Sequence, residues 1–98
     1  MPCKVQPLNK KLKNSLKKLP KRVVDSLYAL LTMIEIMGPI RGDWPNYAKL
    51  AKNIHHCHLK KGNPTYVAGW KESNDGTVEM IYVGTHEKAD YKKLAKKS

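Results

Sequence analysis

The chain has 98 residues, enough for one domain with its own core and too few for two ordinary ones. Apolar residues make up 41%, which separates it from a disordered tail, and no apolar run reaches the roughly 18 residues of a membrane span. Nineteen Lys and Arg against eight Asp and Glu leave a net charge of +11, beyond the about 2–8 that solubility asks for, so a polyanionic partner is the expected reason for the excess.

In chain order, Met1–Val5 is a candidate short edge strand. Leu8, Leu12, Leu16 and Leu19 then recur at helical spacing with lysines between them, and Asn9 is placed to cap that helix. Pro20 ends it and opens a second helix. Val23, Val24, Leu27, Leu30, Leu31, Ile34 and Met37 form the broad apolar face of that second helix, and Gly38-Pro39 stops it. Residues 38–53 read as a connecting loop with at most one helical turn. Trp44 and Tyr47 there are read as anchors to the core, with stacking on bases as the alternative.

The second half reads as strands. From His56 to Lys60 the pattern alternates, with Cys57 and Leu59 on one face and His56, His58 and Lys60 on the other. His55 falls on the face of Cys57. Gly62-Asn63-Pro64 marks a turn, Thr65–Trp70 a second strand, Ser73-Asn74-Asp75-Gly76 a hairpin turn and Thr77–Val83 a third strand. The fold class expected is α+β, one domain over 1–98: a helical hairpin packed on one face of a three- to four-stranded antiparallel sheet. The other sheet face is expected to be open to solvent and to carry His56, His58 and Lys60.

Residues 1–22 hold eight basic residues and no acidic one, and residues 88–97 hold five against Asp90 alone. No segment has the aromatic-rich apolar face of a membrane-lying helix, which favours nucleic acid over an anionic membrane as partner. The basic start lacks the apolar core of a secretory signal, and Cys3 and Cys57 make neither a CxxC pair nor a disulfide framework, so a cytoplasmic location is expected. Cys57 reads as a small buried hydrophobe.

No Ser-His-Asp signature, phosphate loop or paired-carboxylate motif occurs. His56 and His58 could both ligate a metal, but Cys57 points away from them and the third ligand would have to come from elsewhere, such as His86. No structural zinc and no cofactor are therefore expected. Ordinary surface histidines on an open sheet are the plain alternative. A second group, His86, Lys88 and Tyr91, follows the last strand. A histidine that titrates near neutrality, a tyrosine and lysines meet the needs of RNA cleavage through the 2′-hydroxyl: a base, an acid and cations beside the phosphorane. They equally meet the needs of passive RNA binding.

The element order, the Lys18-Leu19-Pro20-Lys21 junction, the Tyr66-Val67 strand and the closing segment from Val83-Gly84-Thr85-His86 to Asp90-Tyr91 resemble the RelE/ParE toxin superfamily over nearly the whole chain. The resemblance implies the toxin of a toxin–antitoxin pair. In its RelE branch this is a metal-independent mRNA endonuclease acting on the ribosome and covered by a cognate antitoxin. Residue by residue it implies catalytic roles for His56, His58, Lys60, His86 and Tyr91, with Lys61, Lys88, Lys92 and Lys93 against RNA. Two positions depart from the pattern. Histidines stand at 56 and 58 where Lys or Arg is usual, and Thr65 stands near the place of an arginine. The alternatives are a non-catalytic or ParE-like toxin that binds DNA gyrase, and a plain RNA-binding module.

Overall fold

The computed structural model of the protein describes residues 3–60 and 64–97. After a two-residue strand, β1 (Lys4–Val5), the leucine stripe becomes α1 (Lys10–Leu16). Asn9 caps α1 by accepting from the Leu12 amide at 2.8 Å, and Leu12 and Leu16 turn inward. Pro20 separates it from α2 (Lys21–Met37), which buries Val23, Leu27, Leu30, Leu31 and Ile34 along one face. The Gly38 amide closes the last turn by donating to the Ile34 carbonyl.

The sheet is larger than the sequence suggested. Its strands run in the order β1, β5 (Thr77–Thr85), β4 (Tyr66–Glu72), β3 (Ile54–Lys60), β2 (Ala48–Ala51). All neighbours are antiparallel except β1 and β5, so this is a five-stranded mixed sheet rather than a three- to four-stranded antiparallel one. The β1 strand leaves the sheet through two helices and meets β5 only at its far edge, where both run the same way. The β2 strand lies inside the segment read as a loop. It has no β-branched residue to mark it and exists because it folds back on β3 around Lys52-Asn53.

The helices cover one face of the sheet. Leu27, Leu30 and Ile34 join Cys57, Leu59, Ala68, Trp70, Val78 and Met80 in a single apolar core. The Ser73–Gly76 turn forms as expected, with Gly76 at φ 86° and Asp75 accepting from both the amide and the hydroxyl of Thr77. Burial of Cys57 in this core pushes its thiol up to about 12, which suits an inert packing residue.

Two register shifts decide what faces the other side. The β4–β5 register slips between Gly69 and Trp70, leaving Ile81 as an extra residue in β5. Val78 and Met80 face the helices before this bulge and Val83 does so after it. Tyr82 therefore pairs with Gly69, and Gly84 with Val67, on the face that also carries His56 and His58. A second slip, between His58 and Lys60, breaks the alternation that would have put Lys60 in line with those histidines. Of Lys60 only the backbone position, at the end of β3 opposite Tyr66, is described, and Lys61 lies outside the described residues.

Candidate functional site

The face opposite the helices is not open. After β5 the chain turns through His86–Lys88 and forms a short helix, α3 (Tyr91–Ala95), which folds back over the sheet. Asp90 caps α3 by accepting from the Lys93 amide, and Leu94 is buried over Gly69, where an added Cβ would meet its Cδ1 at 3.8 Å. Expecting His56 and His58 to be solvent-exposed is therefore wrong for His56, which keeps only 8% of its surface. His58 is half-buried and His86 is exposed. The reason is α3, which buries one leucine set among lysines, too little to announce a packed helix in the sequence.

The closure brings the two histidine groups together. The Tyr91 ring lies 4.8 Å from that of His56, His56 lies 6.4 Å from His58, His58 lies 5.5 Å from His86, and His86 lies 5.7 Å from Tyr91. Four of the five side chains assigned catalytic roles from the sequence thus form one closed circuit of rings. Their sources are the alternate positions of β3, the turn after β5 and the first turn of α3. Lys88 sits in the β5–α3 turn, and Lys92 and Lys93 sit beside Tyr91; all three are exposed.

The environment sets the protonation states. The His56 Nδ1–H donates to the Ala48 carbonyl at 3.1 Å, which fixes the tautomer and leaves the ring's lone pair on Nε2. Burial pushes the His56 pKa down, and the nearness of His86 pushes the same way; the bond to Ala48 opposes them and does not win. His56 is therefore a neutral imidazole near neutral pH. Burial raises the Tyr91 phenol, so that ring is a protonated stacking surface rather than an anion. Among the described residues the Tyr91 hydroxyl and the Thr85 hydroxyl are buried without a hydrogen-bond partner.

Among the described residues no group of three or more His, Cys, Asp and Glu side chains is arranged to hold a metal ion. No described helix is long and apolar enough to cross a membrane. Compared with protein-family models, with curated proteins and with solved structures, the chain matches none.

Two further features escaped the sequence. His55 is wholly buried on the helix side, stacked on Trp70 with ring centres 5.7 Å apart. Its Nδ1 accepts from the Tyr47 hydroxyl at 2.7 Å and its Nε2–H donates to Glu72 at 3.0 Å. The shared face of His55 and Cys57 was the available signal. The second feature is an open groove of about 670 Å³ between α1, β5 and α3, walled by Lys11, Lys71, Lys88, Lys93 and Lys97 around Tyr82. None of the four circuit residues lines it. The lysines come from three distant stretches of chain, which only the fold brings together.

Proposed function

We propose that this protein is a RelE-like toxin that cuts mRNA on the ribosome by acid–base chemistry drawn from side chains alone. The observation that carries the reading is the circuit of His56, His58, His86 and Tyr91 on one sheet face, edged by Lys88, Lys92 and Lys93. In the reaction the RNA 2′-oxygen attacks the adjacent phosphorus, and the bond from phosphorus to the 5′-oxygen breaks. The products are a 2′,3′-cyclic phosphate and a 5′-hydroxyl. One imidazole takes the proton from the 2′-oxygen and a second gives one to the departing 5′-oxygen.

His58 and His86, the two more accessible rings, fill those two roles. Neutral, buried His56 backs them, and the half-buried Tyr91 ring offers a flat surface to a base. The lysines offset the phosphorane charge that Thr65 cannot, and they make binding steeply salt-dependent. Expression without its antitoxin partner is expected to arrest bacterial growth and to produce new mRNA ends inside translated codons.

A second reading keeps one observation in its favour. Thr65, whose carbonyl accepts from the His86 amide at 2.8 Å, puts an uncharged side chain next to the site. A toxin that binds DNA gyrase without cutting RNA would tolerate that residue. Growth arrest with intact mRNA and gyrase-linked DNA breaks decides for it.

A further inference from the structure

We infer that Tyr82, which no motif singles out, is the positioning residue that sets the place of His86; this rests on the nuclease reading above. His86 is exposed and stands in a turn, so its side chain needs a rigid backbone to hold one direction. The peptide unit between Thr85 and His86 supplies it, because both of its polar groups are engaged. The Tyr82 hydroxyl donates to the Thr85 carbonyl at 2.8 Å, and the His86 amide donates to the Thr65 carbonyl at 2.8 Å. A peptide plane held at both ends fixes the direction in which the next side chain leaves the backbone.

Three features of the strand make this possible. The bulge at Ile81 moves Tyr82 to the histidine face. The ring then lies along its own strand over Gly84, where an added Cβ would sit 2.7 Å from the Tyr82 hydroxyl oxygen and 3.0 Å from the ring carbon bearing it. Only glycine allows that approach. Partial burial, with Tyr91 nearby, raises the Tyr82 phenol, so the hydroxyl keeps the proton it donates.

Tyr82→Phe keeps the ring and removes the one bond. In the full-length protein, the His86 amide is expected to exchange with solvent about two- to tenfold faster, the range one hydrogen bond is worth. Ribosome-dependent cleavage should lose kcat by a similar factor with KM unchanged, since the variant disturbs the placement of a reacting group and not RNA binding. Gly84→Ala displaces the hydroxyl and should show at least the same loss, and Tyr82→Phe added to Gly84→Ala should lower kcat no further. Unchanged exchange at His86, or faster exchange with unchanged kcat, overturns the inference. If the wild-type protein cuts no RNA, the nuclease reading fails. Exchange at His86 then still decides whether Tyr82 holds that peptide, with an unchanged rate against it.

Discussion

His55 and His56 are neighbours in the chain and opposites in the fold. One strand step puts His55 on the helix-side face, with both ring nitrogens engaged by Tyr47 and Glu72 and its plane on Trp70. The next puts His56 under α3, with one nitrogen on Ala48 and its ring against Tyr91. Burial lowers both pKa values, yet only the second ring belongs to a cluster with exposed members. Face, set by strand parity, separates a histidine that fastens the loop before β2 from one that joins the ring cluster under α3.

The largest expected effect falls on the helix-side face. Leu30→Ala empties space in the sealed core and should cost about 2–5 kcal/mol in urea unfolding. A cost below about 1 kcal/mol would mean that this core is looser than its burial indicates. Next comes His55→Ala, which strands the Tyr47 hydroxyl and should cost about 1–3 kcal/mol while leaving cleavage per folded molecule unchanged. Loss of cleavage at full stability would move His55 into the site and dissolve the contrast between the faces.

A smaller effect is on pH. His55 and His56 both have folded pKa values below the ordinary histidine value of about 6.5. Above that value both are neutral whether folded or unfolded, and their contribution is constant. As pH falls from about 6.5 through the folded values, the unfolded chain binds protons first and stability drops. Unfolding free energy should be lower at pH 5.5 than at pH 7.5, with a shallower fall in His55→Asn. Greater stability at pH 5.5 would reverse the sign and contradict both assignments. Smallest of all, a chelator should leave the thermal midpoint where it was, and a drop on chelation would reveal a metal that holds the fold.

The sequence carried the helical hairpin because Leu12, Leu16 and the α2 face repeat at a clean helical period, and it carried the Ser73–Gly76 turn through its own chemistry. It carried the parity of His56 and His58 against Cys57 and Leu59 for the same reason. It offered β1 as an edge strand without its parallel pairing to β5, and it did not carry β2, which is short and lacks β-branched residues. Nor did it carry α3, so it left His56 exposed and the circuit unformed. The two bulges were invisible as well, since a bulge is a property of paired strands. Without them Lys60 stays in the histidine row and Tyr82 faces the wrong side.

In the proposed function the circuit cuts RNA through His86. The direct measurement is cleavage of mRNA bound to purified ribosomes by wild-type protein and by His86→Ala, with the ends of the products analysed. The account predicts 2′,3′-cyclic phosphate and 5′-hydroxyl ends from the wild type. It predicts a loss of about 10²–10⁴-fold in rate for His86→Ala at unchanged thermal stability, the range for removing a positioned acid or base. Equal cleavage by both proteins, or intact mRNA with the folded wild type, would contradict it.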